Sequence, residues 1–290
     1  MKNVRVQLLA RKDLDLKKWD ATIRRAPYGL SWWLDATTRK NWYGIVLDDY
    51  RAVMPLPIAR SIGPIKLING APFTQHQGPF GNYRTEELNI FLSAIPKHWY
   101  VRKLTLYPPL PTNKAFPHWH AANRTNHELN LQPNYAALHR GYRGNLRRKL
   151  RDFPHTTLAE WPRSDFLAFY LKHAGAKSQL RQADIVVLNK LTAGILHHGA
   201  GNCFHLTDDQ GGTIAALLLV RHRNRFVNLL AASSPEGFRL HGMTRLLDGV
   251  IRAHAGSDTV LDFEGSDLPG VALFFRGFGA EPIGYWQIRR

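Results

Sequence analysis

Two carboxylates, Asp262 and Glu264, stand one residue apart in an otherwise apolar stretch near the C-terminal end of the chain. The stretch is typical of a β-strand, in which alternate side chains lie on the same face, so we expect these two to share a face. A carboxylate that is crowded or buried has a raised pKa, which suits it to accept a proton from an amine. We predict general-base catalysis by Glu264, at the strand end, or by Asp262. A solvated strand end or an ion pair with an arginine is the alternative interpretation.

A second candidate site lies earlier, where a predicted strand ends at Ala232 and a helix begins near His241. Backbone N–H groups at a helix start, together with the positive end of the helix dipole, bind anions. We expect glycines there to let the backbone approach a ligand closely, and Arg239 to bind phosphate through its forked donors. The predicted pyrophosphate site consists of Gly237, Phe238, Arg239, Leu240, His241, Gly242, Met243 and Thr244. An ordinary loop containing an arginine is the alternative, since the sequence has none of the usual nucleotide-binding motifs.

Six basic residues and no acid occupy the segment Arg140–Arg151. Apolar residues recur there at helical spacing and Asn134 is a good N-cap, so we predict one amphipathic helix. The apolar positions are Leu138, Tyr142, Leu146, Leu150 and Phe153. The basic face is suited to an anionic partner, with Arg143 and Arg147 as candidate substrate-binding residues. RNA or transfer RNA, peripheral contact with an anionic membrane, and a merely solvated face all remain open.

The loop Ala71–Tyr83 carries the polar run Gln75, His76 and Gln77 between glycine and proline turns. We predict a substrate-facing lip, and a capping loop explains the pattern equally well. Histidine pairs elsewhere lack metal-ligand spacing, so we expect no metal site. The single cysteine, Cys203, excludes an internal disulfide, and we expect it to be buried in a strand.

The predicted elements recur along the chain. Two strands joined by an acidic turn, then a helix and a further strand, appear in both halves at an offset of about 160 residues. This indicates two copies of one α/β unit. We predict an N-terminal unit of residues 1–132 and a C-terminal unit of residues 133–290 that carries the donor site. Chance similarity of spacing is the alternative.

The order of strand, Arg-x-x-Gly-x-Thr loop (Arg239, Gly242, Thr244), helix and strand resembles the core of the GNAT acyltransferases. The segments Asp262–Gly265 and Phe274–Ala280 are similar to the Fem-type (FemAB-like) peptidyltransferases. The resemblance implies an α/β (α+β) fold of two tandem GNAT-like units, each a mixed, mostly antiparallel sheet flanked by helices.

The same resemblance implies an N-acyltransferase that moves an acyl or aminoacyl group to an amine. Its co-substrate would be a phosphorylated donor, either acyl-coenzyme A (acyl-CoA) or aminoacyl-tRNA, with no tightly bound cofactor. The rival hypothesis is a non-catalytic nucleic-acid-binding protein on a degenerate acyltransferase fold, because a fold does not guarantee an activity.

The composition is that of a basic globular protein, with 290 residues, 44% hydrophobic residues and a formal net charge of +17 at pH 7. These proportions exclude a disordered or collagen-like chain. The longest unbroken apolar run, Ile214–Val220, is far shorter than the ~20 residues of a membrane span, and no signal-peptide pattern is present. We therefore expect a cytoplasmic protein with no transmembrane segment. The excess of arginine favours an anionic partner.

Overall fold

The structure is a computed structural model that describes residues 4–107, 118–153, 155–175, 178–265 and 268–290. The chain forms two compact units: residues up to Thr125 together with Gly284–Arg290, and Asn126–Ile283. This division differs from the boundary that the sequence placed after residue 132, and it removes the last residues from the C-terminal unit. The reason is that the end of the final strand pairs with a strand of the first unit, which sequence spacing does not reveal.

The first unit contains short helices and a mostly antiparallel sheet. Its elements are β1 (Val6–Ala10), α1 (Leu16–Thr22), α2 (Ser31–Thr38), β2 (Trp42–Leu47), β3 (Ala52–Ile62), β4 (Ile65–Ile68), β5 (Phe80–Gly81), α3 (Leu88–Ser93), β6 (Tyr100–Val101) and β7 (Leu104–Leu106). The strands are ordered β1-β2-β3-β4-β6, with β5 beside β3, and β4 and β6 are parallel.

Local sequence signals explain several elements of this unit. The side chain of Asp15 accepts hydrogen bonds from the backbone N–H groups of Lys17 and Lys18, each at 3.1 Å, and so caps α1. Apolar residues of β2 and β3, among them Ile45 and Met54, are fully buried in one core cluster with residues of α3. Burial of these faces fixes the pairing of the β2–β3 hairpin.

The second unit is built around a mixed sheet. Strand β8 (His120–Asn130) begins in the first unit and ends in the second. Strand β14 (Glu281–Arg289) begins in the second unit and ends in the first. Between them lie α4 (Tyr135–Gly141), α5 (Gly144–Arg151), β9 (Ala159–Glu160), α6 (Arg163–Tyr170), α7 (Gln182–His197), β10 (Gly201–Thr207), β11 (Thr213–His222), β12 (Arg225–Ser233), α8 (Pro235–Arg239), α9 (Gly242–His254), β13 (Val260–Gly265) and α10 (Pro269–Gly277). The sheet order is β8-β13-β12-β11-β10-β9, and only the β12–β13 pair among these described strands is parallel.

The centre of this sheet is covered on both faces. Residues Ile214–Val220 of β11 are all buried, which explains why the strand is a continuous apolar run rather than an alternating one. Helix α9 contributes Leu247 and Ile251 to the same core, where they pack with Phe263 of β13. Cys203 is also buried, as expected. Of the helices that the structure describes, none combines the length and hydropathy that a membrane span requires.

The basic segment forms two helices rather than the single one predicted. Tyr142 and Arg143 have extended backbone, and the N–H of Arg143 donates to the carbonyl oxygen of Gly277 at 2.9 Å. Glycine costs about 1 kcal/mol relative to alanine within a helix, so Gly141 and Gly144 favour a break at this point. The predicted apolar stripe still faces the core, with Leu138, Tyr142 and Leu146 buried.

The segment between β12 and α9 is also not the loop that was predicted. It contains the short helix α8, which begins after Ser234. The hydroxyl of Ser234 accepts a hydrogen bond from the N–H of Gly237 at 3.0 Å, and Pro235 occupies the first helical position. Both features are typical of a helix start.

Candidate active site

A cavity of about 460 Å³ lies between α9 and α10 in the second unit, over the C-terminal part of β12. Its polar lining residues are Lys149, Asn228, Ser233, His241 and Thr244. The remaining wall is formed by Ala231, Ala232, Gly237, Phe238, Met243, Leu247, Gly270, Val271, Phe274 and Phe275. A largely apolar wall with a few polar groups is the usual form of a site for a small organic ligand.

The cavity exists because β12 and β13 separate along their length. The parallel pairing described between them ends where Val227 lies opposite Asp262. Beyond that point β12 stays with β11, whereas β13 stays with β8 as far as Gly265 opposite Asn126. The last residues of β12 therefore border the cavity instead of a neighbouring strand.

A bulge in β12 lies at the same point. Leu218 of β11 is opposite Leu230, but the next residue, Leu219, is opposite Asn228, so Leu229 is the extra residue. A bulge bends its strand and redirects nearby side chains. Here it accompanies the divergence of β12 from β13 and places Asn228 at the inner end of the cavity wall.

The N-terminus of α9 forms another part of the wall. No side chain caps this helix, and its N-cap residue, His241, has a left-handed backbone with φ of 52°, which is uncommon outside glycine. Met243 and Thr244 of the first turn line the cavity. The uncapped N–H groups, the positive end of the helix dipole and Lys149 make this the region suited to an anion. Burial, with a contribution from the charge of Lys149, lowers the pKa of His241.

Two glycines of the predicted pyrophosphate site have a packing role. A Cβ at Gly237 would lie under 3.0 Å from the carbonyl oxygen of Ile214, and one at Gly242 would lie 3.1 Å from the Cβ of Ala215. Their small size lets α8 and α9 pack directly against β11. The expectation that they bring backbone towards a ligand stays a prediction, and Gly237 lines the cavity.

The side chain of Arg239 contacts a residue of its own helix. Its guanidinium forms an ion pair with Glu236 one turn earlier in α8, with Nε to Oε2 at 2.9 Å, and the side chain is 70% exposed. Neither Arg239 nor Leu240 lines the cavity, whereas Phe238, His241, Met243 and Thr244 do. The structure thus brings together five residues of the predicted pyrophosphate site, counting Gly237, at one cavity.

Asp262 is buried at the centre of a charged network. Its carboxylate accepts hydrogen bonds from Asn126 Nδ2 (3.0 Å), from the backbone N–H of Glu264 (2.9 Å) and from Arg225 Nη1 (2.8 Å). Arg225 also pairs with Glu128 at 3.0 Å. For Asp262 the structure shows the alternative interpretation, an ion pair with an arginine. Burial raises the pKa of Asp262, and the carboxylate joins β8, β12 and β13.

Glu264 does not follow the predicted strand alternation. Its φ is 62°, and the register between β13 and β8 shifts between Asp262 and Gly265. The cause is that its N–H turns back to the Asp262 carboxylate. The two carboxylates therefore do not share a regular strand face, and Glu264 is half-buried and outside the cavity lining. Burial, and to a smaller extent the charge of Glu264, raises the pKa of Tyr170.

The other predicted substrate residues are not among the residues that line this cavity. Arg143 and Arg147 are exposed, and Arg147 borders a different cavity beside α5. His76 is buried in the first unit and stacks on Tyr107, with ring centroids 5.1 Å apart. Gln77 is also buried there, and its side-chain oxygen accepts from the N–H of Thr105 at 2.9 Å. Together with Gln75, whose amide atoms are also buried, these contacts are those of a loop packed into the first unit.

Asn228 and Lys149 are among the lining residues that were missed from the sequence. Asn228 is buried, and its side-chain oxygen has no hydrogen-bond partner among the described residues. Asparagine is depleted in strands, so its position inside an apolar strand was a usable signal. Lys149 had been counted only as part of the basic segment. Helix α5 directs it to the cavity.

A mixed sheet whose two parallel strands separate beside the N-terminus of a helix has the arrangement of the GNAT fold, and the chain is a tandem GNAT-fold protein. Its structure is similar to that of FemX, with a TM-score of 0.67 and 15% sequence identity over 97% of this chain and 96% of FemX. It is also similar to a tandem GNAT protein from the clavulanic acid biosynthesis pathway, with a TM-score of 0.51 and 13% identity over 99% and 98% of the two chains.

A third similar structure is the L-PGS of Bacillus licheniformis, with a TM-score of 0.50 and 13% identity over 89% of this chain and 86% of that protein. No protein-family profile and no curated protein sequence matches the chain. At these identities the likeness concerns the fold. The predicted α/β class with two tandem GNAT-like units is confirmed.

Proposed function

We propose that the protein is an N-acyltransferase that moves an acyl or aminoacyl group from a phosphorylated donor, acyl-CoA or aminoacyl-tRNA, to an amine. The observation that carries this proposal is the cavity between α9 and α10. It is bordered by the uncapped N-terminus of α9 and by the edge of β12 that no longer pairs with β13. One end suits phosphate and the wall suits an acyl chain.

The donor is bound as a co-substrate. Its phosphate accepts hydrogen bonds from the N–H groups of the first turn of α9, and Lys149 supplies a neutralising charge. The acyl portion lies against Val271 and Phe274 of α10. Backbone N–H groups at the end of β12, before Ser233, hold the carbonyl oxygen, where negative charge develops during acyl transfer.

The acceptor nitrogen attacks the carbonyl carbon of the donor. A new C–N bond forms, the C–S bond of a thioester or the C–O bond of an aminoacyl ester breaks, and the electron pair leaves with the donor. The amine proton passes to a carboxylate, for which Glu264 is the first candidate. Asp262 is the second, because its oxygens already accept from three donors.

Similarity to FemX and L-PGS supports this class of protein through the shared fold. The tandem GNAT protein of the clavulanic acid pathway is described in a form without AcCoA, which supports acyl-CoA as the first donor to test. The basic helix α5 supports a test of aminoacyl-tRNA beside it, because a polyanion would contact more of its exposed arginines.

Binding and transfer experiments on matched variants test the proposal. We expect acetyl-CoA or aminoacyl-tRNA to bind the wild-type protein in calorimetry, and Lys149→Gln to weaken that binding about tenfold through loss of a charge-assisted contact. Lys190→Gln, the same change at an exposed site on α7, serves as the control and should leave affinity unchanged. Release of free thiol or deacylated tRNA in the presence of an amine panel then reports transfer. Failure of the wild-type protein to bind either donor would refute acyl transfer, and RNA binding without transfer would favour the non-catalytic alternative.

A further inference from the structure

A second cavity of the same unit has no part in the proposed acyl transfer. It has a volume of about 320 Å³ and lies between α4, α5, α9 and the segment that follows α5. Its walls include Tyr135, His139, Arg147, Arg151, Phe153 and His155. None of its lining residues lines the first cavity.

The charge of this second cavity is positive. Arg147 and Arg151 form part of the wall, and Asp248 is the one acid among its lining residues. The carboxylate of Asp248 is already engaged, because Oδ1 accepts from the hydroxyls of Tyr135 and Tyr142, each at 3.0 Å. These neutral donors leave the charge of Asp248 in place, so one acid faces two arginines in the wall. Arg151 also pairs with the exposed Asp152 at 3.5 Å.

Two further arginines stack on aromatic rings of the cavity wall. The guanidinium of Arg252 lies 3.8 Å from the ring centroid of Tyr135, and that of Arg245 lies 4.3 Å from the ring centroid of Phe153. The Nε atoms of both arginines are buried and have no hydrogen-bond partner among the described residues. Such stacking holds the rings in place and adds positive potential at the same point.

We propose that this second cavity binds a phosphorylated nucleoside. Forked guanidinium groups of Arg147 and Arg151 suit a phosphate, and the aromatic and imidazole rings of the wall suit a planar base. The volume is too large for a phosphate alone and lies at the lower end of the range for organic ligands. The nucleotide end of a coenzyme and a nucleotide of an RNA chain both have this chemistry.

This binding does not depend on acyl transfer, but α5 would link the two activities. The helix carries Arg147 and Arg151 to the second cavity and Lys149 to the first. A ligand that is longer than one nucleotide would therefore meet both cavities along one helix.

Calorimetry with two probes tests the proposal: adenosine 3′,5′-bisphosphate, which lacks any acyl group, and a short single-stranded RNA. We expect the double variant Arg147→Gln/Arg151→Gln to weaken binding by about tenfold or more. The matched double variant Arg140→Gln/Arg148→Gln removes the same charge from exposed positions outside the cavity and should change affinity by less than about threefold. Lys149→Gln is measured beside them because Lys149 belongs to the first cavity.

Each outcome decides the proposal. Selective loss of bisphosphate binding in the first double variant supports a coenzyme as the source, and selective loss of RNA binding alone supports RNA. Equal losses in both double variants would show a diffuse basic surface and overturn the proposal. Absence of binding of both probes to the wild-type protein would also overturn it, and loss only in Lys149→Gln would place the nucleotide in the first cavity.

Discussion

Asp262 and Glu264 show how neighbouring carboxylates of one strand acquire different environments. Asp262 lies within the network of Arg225, Asn126 and Glu128, where removal of a hydrogen-bonded charge leaves its buried partner less well compensated. Glu264 has a left-handed backbone at the strand end and is half-buried. The first position favours a structural role, and the second leaves a carboxylate accessible for proton transfer.

We expect these two roles to separate in variants. Glu264→Gln should lower turnover by about 10²–10⁴-fold, the usual contribution of a general base, and leave the melting temperature nearly unchanged. Asp262→Asn should lower the free energy of unfolding by about 2 kcal/mol, because a charge-assisted hydrogen bond to Arg225 is lost. Steady-state kinetics and thermal denaturation on both variants measure the separation. Full activity of Glu264→Gln across the pH range would assign the base elsewhere, with His241 next to be tested.

At the scale of elements, the position of the first cavity depends on close packing of α8 and α9 against β11. Gly237 has no room for a side chain because a Cβ would collide with the carbonyl oxygen of Ile214. That oxygen also accepts a hydrogen bond from the N–H of Ser234 at 3.0 Å, so it has little freedom to move. The close backbone contact at Gly237 therefore holds α8, which leads into α9, against β11.

We predict that Gly237→Ala destabilises the second unit by about 3 kcal/mol, because a collision with backbone cannot be relieved by side-chain rotation. Gly144→Ala is the matched control. Its Cβ would meet nothing within 4 Å at the first residue of α5, so stability should stay the same or rise by up to about 1 kcal/mol. Urea denaturation followed by circular dichroism measures both. Equal stability of the two variants would contradict the packing role of Gly237.

At the scale of the whole molecule, different kinds of titratable group have lowered pKa values in the two units. Burial lowers the pKa values of four histidines of the second unit, His127, His205, His241 and His254. In the first unit, hydrogen bonding to Arg51 lowers the pKa of Glu87 to about 2. A histidine with a lowered pKa stabilises the fold above its unfolded pKa of about 6.5 and loses that contribution as the pH falls below it.

We therefore expect the second unit to lose stability between pH 7.5 and pH 5.5, by up to about 1.4 kcal/mol per pH unit for each extra proton bound by the unfolded chain. The raised pKa of Asp262 acts in the opposite direction, but it concerns one group. The Glu87 contribution persists until the pH falls below about 4.5, the ordinary pKa of a glutamate, and is lost towards pH 2. Hydrogen–deuterium exchange, corrected for intrinsic rates, should show loss of protection in β11 and β12 before β2 and β3. Equal or earlier loss in β2 and β3 would contradict this order.

The sequence by itself determined the kinds and order of the main elements. Apolar runs and turn residues identified the strands of both units, and the recurrence of the same order predicted two related units. The residues at the start of α9 were recognised because helix starts have a known local chemistry. These features depend on neighbours within a few residues, so the chain order contains them.

The tertiary structure decided the features that depend on distant partners. The first helix of the basic segment ends at Gly141, because the N–H of Arg143 donates a hydrogen bond to the carbonyl oxygen of Gly277, which is distant in sequence. Glu264 departs from regular strand conformation because its N–H donates a hydrogen bond to the buried Asp262 carboxylate. That carboxylate also accepts a hydrogen bond from Arg225. The cavity arises because β12 and β13 follow different partner strands beyond Val227. Such distant contacts stabilise conformations that local propensity does not favour. These conformations can therefore be recognised only in the folded structure.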